Sequence, residues 1–138
     1  MPFLETVHIQ FKTMHKFILL FSSISGALSV AIGAFGAHKL KNYLSEIQRA
    51  DVFETAVRYQ FFHTLALLLI GVLMFSHTNK WMHWASISFV IGILIFSGSL
   101  YVLCLTNVGK WGAITPIGGV FLIAGWVCLA IGLSKLVN

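Results

Sequence analysis

The side chains that could take part in acid–base or ligand chemistry are concentrated in one short stretch of the sequence. Glu54 and Arg58 are four residues apart, the spacing at which opposite charges meet on one helical face. Tyr59, Gln60 and His63 follow directly and supply a phenol, an amide and an imidazole. Such groups suit either a hydrogen-bonded lock between helices or a pocket for a polar ligand.

Catalysis finds little support in the sequence. The acidic residues all lie outside the long apolar runs: they are Glu5, Glu46, Asp51 and Glu54. A proton relay or a general base inside a membrane would need a carboxylate within such a run. The sequence also contains neither a glycine-rich phosphate loop nor a nucleophile elbow. It therefore predicts a protein that is not an enzyme.

Four apolar runs must position these side chains. Hydrophobic residues make up 58% of the sequence and charged residues only 9%, too few charges to coat a water-soluble domain. The runs cover, in approximate bounds, residues 17–37, 59–75, 81–105 and 116–133. Each is long enough to cross the hydrocarbon core of a bilayer, which is about 30 Å thick. The prediction is an all-α, integral membrane four-helix bundle.

The first run is preceded by polar sequence. Lys12 and Lys16 stand before it, and residues 33–37 look like a signal-peptide cleavage region. The run is longer than the usual apolar segment of a signal, about 7–15 residues, which favours a retained helix. We therefore expect a polar N-terminal extension over residues 1–15 and a single transmembrane domain over 16–138. Because the first thirteen residues add little to the span, Met14 is favoured as the start.

The segment between the first two runs predicts a short helix on the membrane surface. Leu40, Tyr43, Leu44 and Ile47 form an apolar stripe opposite several charged residues. With Met14 as the start, more Lys and Arg lie on this side of the membrane than on the other. The positive-inside rule then places the 38–58 loop in the cytoplasm.

Polar side chains in or beside all four runs converge on the side of the membrane that holds the 38–58 loop. We call that side the loop face, and the side that holds both chain termini the terminal face. Polar groups in hydrocarbon are costly unless they pair or line a wet cavity, so convergence indicates a shared purpose. The candidate site comprises His38, Glu54, Arg58, Tyr59, Gln60, His63, Ser97, Ser99, Tyr101 and Thr115.

Several purposes are compatible with this convergence. His63 could bond to a serine or carbonyl of the third run and lock the bundle. Alternatively, Arg58 and the free N–H groups that follow Pro116, within residues 116–119, could bind a lipid headgroup or a quinone-like molecule. His38 and His63 could ligate haem, but two histidines are too few for a closed zinc site. No cofactor and no metal are expected.

Small residues form two long stripes at helical spacing, besides a shorter one of Ser88, Gly92 and Ser99 in the third run. Lipid provides no hydrophobic drive for helix association, so small residues that allow close backbone approach serve as the usual contact points. The stripes consist of Ser22, Gly26, Ser29, Gly33 and Gly36 in the first run, and of Gly118, Gly125 and Gly132 in the fourth. They favour packing within one bundle, with a homo-oligomer interface as the alternative.

Three sequence signals predict helix starts. Asp51 and Glu54 have the spacing of a capping box. Asn79 can cap the third transmembrane helix. Thr115 followed by Pro116 fits an N-cap and a first helical residue, which places a loop over residues 106–114.

Four segments together resemble a known family. They are GAFGAHKL at 33–40, TAVRYQFFH at 55–63, FSGSLY at 96–101 and ITPIGG at 114–119. They are similar to the small membrane proteins grouped as domain of unknown function 423, which include the YgdD-like inner-membrane proteins. The resemblance covers about residues 16–133. It implies a multi-pass protein of the bacterial inner membrane with four helices, and it brings no established activity.

These observations favour a non-catalytic structural or lipid-interacting envelope protein, with membrane lipids as its partners. The sparse basic residues flank apolar runs, which is typical of membrane proteins rather than of nucleic-acid binding. The alternatives are an oligomeric small-solute channel or carrier, and a haem- or quinone-binding accessory subunit.

The four-helix topology predicts the sides of the membrane on which loops lie. Reporters fused after Ser45 and after Thr78 should give opposite signals, because one span separates these positions. A reporter at the C-terminus should match the one after Thr78, because two spans separate them. Paired alkaline phosphatase and fluorescent protein fusions measure this, and identical signals at Ser45 and Thr78 would exclude the topology.

Overall fold

A computed structural model of the protein describes the backbone of residues 2–137 and the side chains of residues 13–136. Its helices are α1 (Pro2–His38), α2 (Lys41–Glu46), α3 (Ala50–Leu73), α4 (Lys80–Thr106) and α5 (Thr115–Val137). A 3-10 turn, Gly109–Ala113, precedes α5. No strand occurs within residues 2–137, so the predicted all-α class is confirmed. Most of the predicted N-terminal extension lies outside the residues with described side chains.

Four segments are long and apolar enough to cross a membrane, which confirms the predicted number of spans. They are Thr13–His38, Ala50–Leu73, Lys80–Thr106 and Gly109–Leu136. Many of their large apolar side chains point outwards, as membrane helices require. Ile24, Leu69 and Ile123, for example, are each more than half exposed.

The long helices pack in the order α1, α3, α4, α5, each mainly against its neighbour in that series. The main core lies where α3 and α4 meet. Leu67 and Ile70 of α3 and Met82 and Phe89 of α4 are completely buried there. α1 adds Ile18 to this core, and α5 adds two leucines. The bundle is therefore built around α3 and α4, with α1 and α5 on its outer flanks.

The predicted stripes of small residues lie at helix contacts within the bundle. A Cβ added to Gly118 of α5 would overlap the backbone of Phe96, and one on Gly125 would lie 2.6 Å from the Phe89 ring. Gly36 of α1 likewise leaves room for the ring of Phe53 in α3. The buried hydroxyl of Ser29 donates to a carbonyl of its own helix, 2.7 Å away. The stripes thus serve contacts between helices of one chain.

α2 is the short helix predicted between the first two spans. Leu44, at the centre of its apolar stripe, is buried against Phe53 and Cys104. The Tyr43 hydroxyl lies 3.3 Å from the carbonyls of Cys104 and Leu105. The stripe therefore packs over the loop-face ends of α3 and α4.

The predicted cap at Asn79 is confirmed. Its Oδ1 accepts hydrogen bonds from the backbone N–H groups of Trp81 and Met82, each at 3.1 Å. Its Nδ2 donates to the carbonyl of Gly132 in α5 at 3.0 Å. One side chain therefore caps α4 and ties it to the far end of α5.

The predicted capping box at Asp51 is wrong. α3 begins at Ala50, and the residue in the cap position is Arg49, which makes no side-chain cap bond. The tight turn after α2 explains the earlier start, because Gln48 adopts a left-handed conformation and the Arg49 N–H bonds to the Leu44 carbonyl. Glu54 instead pairs with Arg58, as their spacing predicted.

Close approach of α4 and α5 predicts a sharp difference between two glycine substitutions. Gly118→Ala places a methyl group against the Phe96 backbone and should lower the free energy of unfolding by about 1–3 kcal/mol. Gly98→Ala, in α4, meets no atom within 4 Å and gains helix propensity, so it should be neutral or stabilising by up to about 1 kcal/mol. Unfolding in detergent, followed by circular dichroism, compares the two. Equal effects would contradict close packing at Gly118.

Candidate functional site

A buried chain of hydrogen bonds links three helices near the middle of the bundle. The Tyr101 hydroxyl of α4 donates to Gln60 Oε1 of α3 at 2.7 Å. Gln60 Nε2 donates to the Ser25 carbonyl of α1 at 3.0 Å and lies 3.3 Å from the Ser25 hydroxyl. That hydroxyl is 2.8 Å from the hydroxyl of Thr64. We call Ser25, Gln60, Thr64 and Tyr101 the amide network.

The geometry of the amide network fixes the orientation of Gln60. The Ser25 carbonyl can only accept a hydrogen bond, so the amide nitrogen must face it and the amide oxygen must face Tyr101. Gln60 is only 6% exposed, and both ends of its amide are paired. An unpaired amide in this place would cost about 1–3 kcal/mol. The network therefore stabilises one arrangement of α1, α3 and α4 over others.

Two members of the network were not among the predicted site residues. Ser25 lies between Ser22 and Ser29 in the sequence but is not a member of the predicted small-residue stripe. Thr64 follows Gln60 by four residues, so the two share one face of α3. That spacing is the signal by which the sequence could have identified Thr64.

Other hydroxyls join α4 to its two neighbours. Ser97 donates to the Ala56 carbonyl of α3 at 2.8 Å. Ser99 donates to the Phe96 carbonyl of its own helix at 3.0 Å, and its oxygen lies 2.8 Å from the Thr115 hydroxyl. Because Ser99 has one proton, Thr115 is the donor in that second bond. Thr115 thus fastens the start of α5 to α4.

His63 lies in an aromatic environment. Its ring centroid is 5.7 Å from that of Phe89 and 6.0 Å from that of Trp126. Its Nδ1 bonds to the Tyr59 carbonyl of its own helix at 2.7 Å, where the sequence had suggested a partner on α4. The Tyr59 ring stacks on Phe96 at 4.6 Å. His63 and Tyr59 therefore contribute packing between α3, α4 and α5.

The remaining predicted residues lie on the surface. Glu54 and Arg58 form an ion pair whose side chains are 64% and 59% exposed. His38, the last residue of α1, is also exposed. The ten predicted residues are thus distributed over separate groups: the amide network, the α4 hydroxyls, the aromatic group of His63, and the exposed residues of the loop face.

A groove runs between α1 and α3 beside the exposed ion pair. Its upper part is a cavity of about 410 Å³ beneath α2, whose polar lining residues include Lys41, Ser45 and Glu54. Its lower part follows the outer side of α1 and α3, past Val30 and Phe61. The two parts adjoin, since both are lined by Gly33, Ala37, Glu54 and Val57. We call this the α1–α3 groove.

The terminal face holds polar contacts that the sequence did not indicate. His15 Nε2 lies 2.6 Å from the Gly71 carbonyl at the end of α3. The ammonium groups of Lys80 and Lys135 both lie 5.7 Å from the centre of the Trp81 ring. Among the residues with described side chains, no group of three His, Cys, Asp or Glu is placed to hold a metal ion.

The family described as "Protein of unknown function (DUF423)" matches residues 32–119. The UPF0382 inner membrane protein YgdD of Escherichia coli (strain K12) is 40% identical over 121 residues, which cover 88% of this chain and 92% of that protein. A UPF0382 membrane protein of Staphylococcus haemolyticus is 43% identical over 123 residues, or 89% and 99% of the two chains. No solved structure matches.

The amide network predicts energetic coupling between Gln60 and Tyr101. Tyr101→Phe should destabilise the protein by about 0.6–1.7 kcal/mol, the range of hydrogen bonds between membrane helices. The effect should largely disappear in the background of Gln60→Met, which removes the partner. Detergent unfolding of the single and double variants measures the coupling.

Tyr43→Phe is the matched control for this cycle. It deletes the same hydroxyl group from a tyrosine whose oxygen lies near the end of α4, away from Gln60. Its effect should add to that of Gln60→Met. Additive effects for Tyr101→Phe as well would show that the amide network does not hold the helices together.

Proposed function

Because the chain belongs to the DUF423 family of multi-pass inner-membrane proteins, we propose that it is a non-catalytic, lipid-interacting protein that supports the structure of the membrane. One observation carries this proposal: the buried polar side chains of the amide network are bonded to one another across three helices. Groups used in this way stabilise a scaffold and leave no unpaired amide or hydroxyl there for chemistry.

The placement of the acidic residues also supports a non-catalytic role. Glu46, Asp51 and Glu54 are all exposed at the loop face. A general base of raised pKa requires a sheltered carboxylate in a cleft. Glu54 borders the α1–α3 groove, but its side chain is 64% exposed, and the other two carboxylates are exposed as well.

The apolar core favours a scaffold role rather than a channel through a single chain. A conducting path needs polar or wet surface through the bilayer. The centre of this bundle is filled by completely buried apolar side chains, such as Leu67, Ile70 and Phe89. A path through the middle of α3 and α4 would have to displace them.

The outer surface supports interaction with lipids. Large apolar side chains project from all four long helices, and the α1–α3 groove opens among them near charged residues of the loop face. A groove of this kind can hold an acyl chain more closely than a flat helix surface does.

The proposal predicts that the purified protein retains phospholipid and depends on it. Mass spectrometry after gentle detergent extraction should find phospholipid in at least equimolar amount. Thorough delipidation should lower the midpoint of thermal unfolding, and added phospholipid should restore it. In vesicles the protein should leave small-solute flux at the level of protein-free vesicles. A Soret band, or solute flux that depends on the protein, would overturn the proposal in favour of a haem subunit or a channel.

A further inference from the structure

The α1–α3 groove has the shape of a site for one lipid chain with a polar entrance. Its lower part is walled by Val30 and Ala34 of α1 and by Val57 and Phe61 of α3. Its upper part is bounded by the buried side chains of Leu44 of α2 and Phe53 of α3. The walls are thus apolar along the depth of the membrane, and the charged residues stand at the loop face.

The groove exists because the side chains of α1 on this side are small. Gly33, Ala34 and Ala37 leave space beside α3 that larger residues would fill. At Gly33 the two helices already approach closely, since an added Cβ would lie 3.1 Å from Val57. The space is therefore outside the helix contact and opens towards lipid.

The entrance carries both signs of charge. Lys41 and Glu54 line its upper part, and Arg58 lines the lower part beside Glu54. Arg58 is eight residues into α3, about 12 Å along the helix, so its long side chain can reach up to the headgroup layer. A carboxylate that is paired with an arginine thus lines the same cavity as a lysine, at the loop face.

This arrangement complements a headgroup in which a phosphate is linked to a primary ammonium. Arg58 has five N–H donors, so it can bind a phosphate while it remains paired with Glu54. Lys41 adds a second positive charge for the phosphate, and Glu54 can accept hydrogen bonds from the ammonium. A purely anionic headgroup would meet Glu54 as a like charge. A quaternary ammonium has no N–H to donate to it.

We propose that the α1–α3 groove binds one phospholipid of the phosphatidylethanolamine type. Its phosphate lies at Arg58 and Lys41, its ammonium at Glu54, and one acyl chain lies between α1 and α3. This inference rests on the proposed lipid-interacting function and names the lipid class and the site.

Competition between headgroups tests the proposal. The full-length protein in detergent is mixed with equal amounts of dioleoyl phosphatidylethanolamine, phosphatidylglycerol and phosphatidylcholine, and native mass spectrometry counts the lipids retained. The ethanolamine lipid should be retained preferentially. Glu54→Gln should reduce that preference about tenfold, the loss expected for one charge-assisted hydrogen bond. Arg58→Gln should reduce retention of both phosphatidylethanolamine and phosphatidylglycerol.

Glu46→Gln is the matched control, because it removes one exposed carboxylate from α2 at a position outside the groove. It should leave the preference unchanged. Equal effects of Glu46→Gln and Glu54→Gln would overturn the site. Preferential retention of phosphatidylglycerol or phosphatidylcholine over phosphatidylethanolamine by the unaltered protein would overturn the lipid class, while retained phospholipid would still support the proposed function.

A steric variant tests the groove without changing charge. Ala34→Trp fills its lower part, whereas Ala31→Trp adds the same bulk to an exposed position of α1 outside the groove. Ala34→Trp should lower phosphatidylethanolamine retention several-fold, and Ala31→Trp should not. If neither alters retention, the groove is not the site. If the unaltered protein retains no phospholipid and gains no stability from it, both this inference and the proposed function fail.

Discussion

The absence of water inside a bilayer is the constraint on which this structure depends. A buried amide or hydroxyl in hydrocarbon has no solvent to bond with, so its partner must come from the protein. Gln60 meets this requirement with Tyr101 of α4 and Ser25 of α1. Because those partners belong to different helices, the requirement of one side chain becomes a restriction on how three helices are arranged.

Close packing works together with that restriction. Without a hydrophobic drive between helices in lipid, α4 and α5 are held by contact, and contact requires Gly118 and Gly125 to lack side chains. The small side chains of α1 likewise have two consequences. At Gly36 they bring Phe53 of α3 close, and around Ala34 they leave the groove open to lipid. The helix contact and the α1–α3 groove therefore lie side by side on one helix.

Much of the fold follows from the sequence, because span length, hydropathy and small-residue spacing act locally. The Asn79 cap and the Glu54–Arg58 pair could be predicted as well, because each joins residues within four positions of one another in the sequence. The arrangement of polar groups was less accessible, since it depends on the rotation of each helix about its axis. The sequence suggested a serine or carbonyl of α4 as the partner of His63, but the rotation of α3 turns the ring towards Phe89 and Trp126. Rotation also brings Ser25 to Gln60.

The fastening of α4 to α5 at both ends bears on how the protein is made. Asn79 bonds to Gly132 at the terminal face, and Thr115 bonds to Ser99 at the loop face. The two helices, joined by residues 107–114, thus form a helical hairpin that side-chain hydrogen bonds fasten at both ends. Such a unit can leave the insertion machinery as a pair, with Asn79 and Thr115 already bonded before lipid surrounds them. The last half of the chain then completes a bundle that α1 and α3, synthesised first, have begun.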